Sequence, residues 1–250
     1  MYITTNQGAS MGSKRNAFRK RSKHNNVLQI NQYQIEKQKD VQIIPRNKNQ
    51  ESYLIKLLDP SKDIVFGVGP AGTGKTLLAV QVAIKMFKER QVDRIIITRP
   101  AVSVDEDIGF LPGTLEEKMA PWTRPIFDVF QEYFRTQDLK NMMYEGVIEI
   151  APLAFMRGRN FIRAFIVADE CQNTTHSQMK MLLTRLSAGS KMAVTGDLNQ
   201  ADRQHDNGLL DFIEKLNKKD KAQRIDMVSF HKRDIERHPA VREVLDIYGD

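Results

Sequence analysis

Cysteine is nearly absent from this sequence of 250 residues, since Cys171 is the only one. A single cysteine cannot form an intramolecular disulfide, and the Cys/His sets of structural zinc sites are missing. The five histidines are scattered, and none has a partner at the spacing of metal ligands. These absences exclude an internal disulfide framework and a structural zinc site.

Long apolar runs are also absent. No run approaches the roughly 20 residues that cross a bilayer, and the first residues lack the apolar block of a secretory signal. The composition, with 41% apolar and 28% charged residues, fits a globular protein with a sizeable core. We therefore expect no membrane association and a cytoplasmic location.

Acidic residues are missing from the first 24 positions, which hold six Lys and Arg residues. The formal net charge of the whole chain is +7, so this segment contributes nearly all of it. A polar, basic, proline-free segment buries too little apolar surface to fold alone, and such arms often bind polyanions. We expect a flexible basic arm at 1–40 and a folded domain at 41–250, although an arm that only aids solubility is the alternative. The basic residues are Lys14, Arg15, Arg19, Lys20, Arg21 and Lys23.

Glycine is concentrated in the stretch V-G-P-A-G-T-G-K-T-L-L-A-V at 68–80, between an apolar run and a helix-forming segment. Glycines in G-x-x-x-x-G-K-T permit positive φ angles that aim successive backbone amides at phosphate groups. The lysine then reaches the β and γ phosphates, and the threonine hydroxyl faces Mg²⁺. A glycine-rich turn without a ligand would explain neither residue. The predicted ATP-binding residues here are Gly69, Pro70, Ala71, Gly72, Thr73, Gly74, Lys75, Thr76 and Leu77.

Short apolar runs alternate with helix-forming segments from about residue 45. Most runs are continuous and β-branched, as in strands covered on both faces, and they predict an α/β domain with a mostly parallel sheet and helices on both faces. The predicted strands are 64–68, 94–98, 147–151, 164–168, 191–195 and 224–230. The predicted helices are 76–90, a stretch around 125–134, 177–186, 209–216 and 234–248. Residues 101–146 form a long insertion, which we expect to carry function or a contact surface.

Polar residues follow two of the predicted strands. Asp169 and Glu170 end the strand F-I-V-A, at the edge of a parallel sheet where ligands bind. We expect Asp169 to hold Mg²⁺ with Thr76, and Glu170 to orient and deprotonate the attacking water. An acidic pair after a strand also occurs as a helix N-terminal charge pair, but the phosphate loop favours the functional interpretation. Gln200, after V-T-G-D, is placed to report the γ phosphate.

Several motifs occur together and in order: G-P-A-G-T-G-K-T, I-T-R-P-A-V, G-F-L-P-G, A-P-L-A-F-M-R-G-R, D-E-C-Q-N-T-T, Q-M-K-M-L-L-T-R, V-T-G-D and R-H-P. The sequence from about residue 49 to 248 resembles the PhoH family of phosphate-starvation-inducible ATPases. The resemblance implies one RecA-like P-loop NTPase domain, similar to the first motor domain of superfamily-one helicases. It also implies ATP and Mg²⁺ as ligands, and RNA or another single-stranded nucleic acid as substrate.

The resemblance extends upstream, where N-Q-E-S-Y matches the family's N-Q-x-x-Y. It implies that Gln50 reads the adenine edge and that Tyr53 supports it, whereas an ordinary helix start is the alternative. Two departures stand out. Cys171 replaces the usual alanine, a change between small residues that should leave the magnesium site intact. After Gln200, A-D-R-Q-H-D-N-G replaces a proline-containing loop, so the contacts of that loop are left open.

A superfamily-one helicase holds ATP between two RecA-like domains, and this chain has room for one. We therefore expect a homo-oligomer, most plausibly a ring such as a hexamer, in which a neighbouring subunit supplies an arginine to the γ phosphate. Each candidate could instead pair with an acid or contact RNA. The candidates are Arg99, Arg157, Arg159, Arg185 and Arg237.

Three functions remain open from the sequence. The first is an ATP-hydrolysing, helicase-like enzyme that acts on RNA. The second is a nucleotide-gated assembly or regulatory module with slow turnover. The third is a small-molecule kinase, which the acidic pair and Gly-Asp-x-x-Gln suit less well, because they favour activation of water.

Overall fold

The computed structural model describes residues 40–100, 115–201, 206–219, 222–236 and 239–248. The basic arm, with Lys14, Arg15, Arg19, Lys20, Arg21 and Lys23, lies outside these residues. So do the G-F-L-P-G motif, Arg237 and residues 202–205 of the loop after Gln200. Predictions that concern those segments stay predictions.

Six parallel strands form one sheet in the described part of the chain, in the order β3-β2-β4-β5-β1-β6. The predicted α/β fold with a parallel sheet is confirmed, and every predicted strand is present with bounds that differ by at most one residue. The strands are β1 (Ile64–Val68), β2 (Arg94–Arg99), β3 (Ile148–Pro152), β4 (Ala164–Ala168), β5 (Lys191–Gly196) and β6 (Ile225–Ser229).

Seven α-helices connect or flank these strands within the described residues. One of them, α4, is not among the predicted helices, and α1 corresponds to the helix start given as the alternative for the N-Q-E-S-Y segment. The bounds are α1 (Lys48–Leu58), α2 (Lys75–Lys88), α3 (Leu115–Tyr133), α4 (Thr136–Tyr144), α5 (His176–Leu183), α6 (Gly208–Asn217) and α7 (Pro239–Tyr248). The segment predicted as an insertion, 101–146, therefore contributes two helices, α3 and α4, between β2 and β3.

The prediction of one continuous helix at 234–248 is wrong. The structure has a short 3₁₀ turn at Lys232–Asp234, and residues 235 and 236 have no helical structure. Residues 237 and 238 lie outside the described residues, and α7 begins at Pro239. Proline suits the first position of a helix because it has no N–H to leave unpaired, and it disfavours helical geometry in the residue before it. Pro239 therefore starts a helix rather than continuing one.

The two faces of the sheet are both covered. On one face, Ile64, Phe66 and Ile166 pack with residues of α5 and α6 such as Met179 and Leu209. Side chains alternate along a strand, so the intervening residues point to the other face, where α2 packs on β4 and β2. All five residues of β1 and of β4 are buried. This double burial explains why the strands read as unbroken apolar runs.

Candidate nucleotide-binding site

The phosphate loop joins β1 to α2 at the carboxyl edge of the sheet. Gly69 has φ +144° and Gly74 has φ +81°, angles that L side chains rarely adopt. A Cβ added at Gly69 would lie 2.3 Å from the carbonyl oxygen of Phe230. The Gly69 amide donates to the carbonyl of Gly196 at 3.0 Å. Backbone on both neighbouring strands therefore fixes the start of the loop.

Lys75 is the buried cation of the loop. Its Nζ donates to the carbonyl oxygens of Gly69 and Pro70, both at 2.6 Å, and lies 3.3 Å from Thr73 Oγ1. Burial lowers the pKa of the ammonium, although the carboxylates of Asp197, Glu170 and Asp169 oppose that shift. A bound polyphosphate would offer this ammonium charged acceptors in place of the loop carbonyls.

Thr76 and Asp169 meet although 93 positions separate them in the chain. The Thr76 hydroxyl donates to Asp169 Oδ1 at 2.7 Å, and the hydroxyl of Thr195 on β5 donates to the same oxygen at 2.5 Å. Hydroxyl and carboxylate oxygens are the ligands that Mg²⁺ prefers, together with water and substrate phosphates. The donor set fits a magnesium ion shared with a bound triphosphate.

Glu170 follows Asp169 in a left-handed backbone conformation, with φ +53° and ψ +38°. Such a conformation costs free energy for a residue other than glycine and is often kept at functional sites. Its Oε2 accepts a hydrogen bond from Gln172 Nε2 at 2.5 Å. The turn places the Glu170 carboxylate in the same cleft as the loop.

One cleft of about 250 Å³ contains these groups. Residues of the loop and the start of α2 form one wall, and the exposed side chain of Leu77 is at its rim. The ends of β4 and β5 form the other wall and include Gln200, which lies in the 3₁₀ turn Leu198–Gln200. The structure therefore brings Lys75, Thr76, Asp169, Glu170 and Gln200 together at one cleft.

Gln50 and Tyr53 both lie on α1, the helix that precedes β1. Gln50 is buried, its Nε2 donates to the carbonyl of Thr73 at 3.1 Å, and its Oε1 accepts from the Arg46 amide at 2.8 Å. Tyr53 is fully buried with its ring edge-on to Phe230. Gln50 therefore contacts the loop directly, whereas Tyr53 packs against Phe230 and beside Gly67 on β1. Recognition of adenine by Gln50 stays a prediction.

The five arginine candidates have different environments. Arg159 forms a two-point pair with Glu149 and lies over the ring of Phe161. Arg185 donates to the carbonyls of Met181 and Arg159, so both arginines make contacts within their own subunit, and their predicted roles stay predictions. Arg157 is exposed, and the described residues give it no hydrogen bond or ion pair. Arg99 ends β2 and is partly buried, while Arg237 lies outside the described residues.

Two site residues were missed by the sequence reasoning. Thr195 donates to Asp169, and Gln172 contacts both Glu170 and the amide of Asp197. Each lies within a motif that had been noticed, V-T-G-D and D-E-C-Q-N. Cys171, between the acidic pair and Gln172, is buried, and burial raises the pKa of its thiol well above the usual value. It is a packing residue in the described structure.

Comparison with known proteins identifies the family. The family model described as PhoH-like protein matches residues 42–249. The chain belongs to the PhoH family. It is 47% identical over 212 residues to a PhoH-like protein of Mycobacterium tuberculosis (strain H37Rv), covering 83% of this chain and 58% of that protein. PhoH of Escherichia coli K12 is 39% identical over 217 residues, with the same two shares covered. The chain thus spans under two thirds of the length of these relatives.

PhoH membership and the loop geometry together support a nucleotide-binding P-loop NTPase. Two solved structures resemble the chain only distantly. The Pif1 helicase of Candida albicans gives a TM-score of 0.41 at 14% identity, covering 83% of this chain and 44% of that one. The SWI2/SNF2 ATPase core of Sulfolobus solfataricus gives 0.37 at 16%, covering 66% and 34%. Within the described residues, no helix has the length and apolar character of a bilayer span.

Proposed function

We propose that the chain binds ATP with Mg²⁺ and hydrolyses the terminal anhydride in a helicase-like cycle that acts on RNA. The observation that carries the proposal is the 2.7 Å bond from Thr76 to Asp169. It joins the hydroxyl that follows the loop lysine to the first member of the acidic pair. Lys75 and Glu170 line the same cleft, so binding and activation of water can occur side by side.

The residues have separate tasks in the proposed reaction. Backbone amides from Ala71 to Thr76 and the Lys75 ammonium bind the β and γ phosphates, while Thr76 and Asp169 would hold Mg²⁺, which supplies charge neutralisation when bound. Glu170 orients a water for in-line attack and accepts its proton. Gln200 is placed to bond the γ phosphate and would lose that bond in the ADP state.

For the RNA contact we propose the corner of the sheet after β3. Phe155 is 56% exposed in the 3₁₀ turn Leu153–Met156, and Arg157, exposed and unpaired within the described residues, follows it. Exposed aromatic rings stack on unpaired bases, and arginine binds phosphates. β3 lies four strand spacings, or about 19 Å, from β1. Arg157 is not among the residues that line the nucleotide cleft.

A second subunit would complete the site. The cleft is lined by one cation, Lys75, among the residues that the structure describes, and the transition state gains negative charge on the γ oxygens. We propose that a neighbouring copy in a ring, such as a hexamer, supplies an arginine from among Arg99, Arg157, Arg159, Arg185 and Arg237. A cytoplasmic location remains our expectation.

The decisive experiment measures ATP hydrolysis with and without single-stranded RNA, alongside the oligomer mass. RNA-stimulated turnover supports the motor, and transfer of phosphate to a small acceptor would support a kinase. Slow turnover with an ATP-dependent change in mass, unaffected by RNA, would support the assembly module. Phe155→Ala and Arg157→Ala should weaken RNA affinity and leave basal hydrolysis unchanged, whereas Arg159→Ala should lower stability instead.

The basic arm has its own test. Deleting residues 1–24 should reduce the slope of log RNA affinity against log salt by up to about 4, taking six contacts at roughly 0.7 each. Basal hydrolysis should not change, because the deleted residues precede the family match at 42–249. An unchanged slope would leave the arm as a solvated tail.

A further inference from the structure

Gln172 lies between the two functional motifs of the cleft. Its Nε2 donates to Glu170 Oε2 at 2.5 Å, and its Oε1 accepts from the backbone amide of Asp197 at 3.1 Å. The side chain is 2% exposed, so solvent is poorly placed to replace either partner. One buried amide thus connects the acidic pair after β4 to the turn after β5.

The space around the Gln172 side chain is narrow. A Cβ added at Gly196 would lie 3.0 Å from Gln172 Oε1, 3.2 Å from its backbone nitrogen and 2.5 Å from Leu209 Cδ2. Gly196 therefore keeps open the space in which the amide reaches Asp197. At the other end, the left-handed conformation of Glu170 turns the chain so that side chains two positions apart can meet.

The turn after β5 is held together as one unit. The Gln200 amide donates to the Asp197 carbonyl at 3.0 Å, and the Asn199 amide donates to Asp197 Oδ1 at 3.0 Å. A displacement of Gln200 toward a γ phosphate would therefore also displace the Asp197 amide. That amide is the group to which Gln172 is bonded.

We infer that Gln172 is a positioning residue: it fixes the direction of the Glu170 carboxylate and couples it to the turn that carries Gln200. The inference rests on the proposed hydrolysis. With Oε2 held by the amide, Glu170 presents Oε1 to the attacking water. The water O–H bond breaks, its proton passes to Oε1, and a new P–O bond forms as the bond from phosphorus to the ADP oxygen breaks.

The chemistry requires glutamine at this place. Glutamate has the same length and keeps an acceptor for the Asp197 amide, but it has no N–H for Glu170 and faces it with a second negative charge. Methionine has a similar length and offers neither bond. Gln178 provides a matched control, because it is the capping-box residue of α5 and bonds to Thr175 instead of the cleft.

The test compares Gln172→Met, Gln172→Glu and Gln178→Met by single-turnover hydrolysis and by affinity for a nonhydrolysable ATP analogue. We expect both Gln172 variants to slow hydrolysis by about 100-fold, the loss typical of a misplaced catalytic group, with nucleotide affinity within about twofold. Gln178→Met should lower the melting temperature and keep the hydrolysis rate, since it removes only a helix cap.

The outcomes separate this inference from the proposed function. If the wild type hydrolyses ATP and both Gln172 variants match it, the positioning role is wrong and the proposed function stands. If the wild type shows no hydrolysis, the proposed function itself fails. A parallel fall in rate, affinity and melting temperature would assign Gln172 to the fold alone. Gln172→Glu, which retains size and one bond, decides the matter should Gln172→Met not fold.

Discussion

Two buried lysines, one where the parallel strands end and one where they begin, make similar contacts in different surroundings. Lys75 bonds the carbonyls of Gly69 and Pro70, both at 2.6 Å, and Lys191 bonds those of Leu57 and Asp59, both at 2.7 Å. Lys75 lies between the phosphate loop and the acidic pair, whereas Lys191 binds the carbonyl end of α1 near the carboxylates of Asp59 and Asp63. The comparison teaches that the surrounding groups, more than the bonds of a lysine, distinguish a ligand site from a structural contact.

The largest difference is expected from replacing each lysine by alanine. Lys75→Ala should abolish measurable ATP binding and turnover, because the β and γ phosphates lose their cation. Lys191→Ala should leave ATP affinity close to that of the wild type, because it lies at the opposite edge of the sheet. Calorimetric titration of both folded variants with ATP and Mg²⁺ is the measurement. Equal losses of affinity would end the distinction between the two edges.

The next effect concerns the acidic pair beside Lys75. Glu170→Gln should reduce turnover by about 10²- to 10⁴-fold, because an amide cannot accept the proton of the attacking water. ATP should still bind, since Lys75, Thr76 and Asp169 are unchanged. Rapid-quench kinetics with an ATP-binding control separates these quantities. Undiminished turnover would remove Glu170 from its proposed role.

The residues at the carboxyl edge of the sheet were largely predictable, because local sequence motifs indicate their chemistry. G-x-x-x-x-G-K-T fixes the loop, and parallel strands bring their carboxyl ends to one edge, so Asp169 and Gln200 could be placed beside it. Gln172 and Thr195 were visible as letters in those motifs. Their contacts depend on the left-handed turn at Glu170 and on the pairing of β4 with β5, which single-sequence patterns do not determine.

The amino edge of the sheet, where the parallel strands begin, was much less predictable. Lys191 is the first residue of a predicted strand, and nothing in its neighbours indicates that its partners are Leu57 and Asp59, more than 130 positions earlier. The start of α7 shows a similar limit, because Asp234 looks like a helix cap but ends a 3₁₀ turn before Pro239. Local sequence motifs therefore predict a phosphate-binding site better than they predict long-range packing.

A smaller effect should distinguish the stability of Lys191→Ala from that of Lys75→Ala. Lys191→Ala should lower the free energy of unfolding by about 1–3 kcal/mol, because the buried carbonyl oxygen of Leu57 and the partly buried one of Asp59 lose their donor. Lys75→Ala should have a smaller effect, since both carbonyl bonds of Lys75 are only partly buried, whereas the bond from Lys191 to Leu57 is fully buried. Chemical denaturation of both variants without nucleotide measures this. A greater loss in Lys75→Ala would reverse the structural assignment.

A final effect is a pH dependence at the amino edge. Burial lowers the pKa of Lys191 from 10.5 to about 8, against the opposing charges of Asp59 and Asp63. Between these values the unfolded chain binds the proton that the folded chain has released, so stability rises with pH in this window. The neutral amine still has two N–H groups for its two carbonyl partners. Unfolding measurements from pH 7 to 11 should therefore show the stability of the wild type rising relative to Lys191→Met; a constant or falling difference would mean that Lys191 stays charged in the fold.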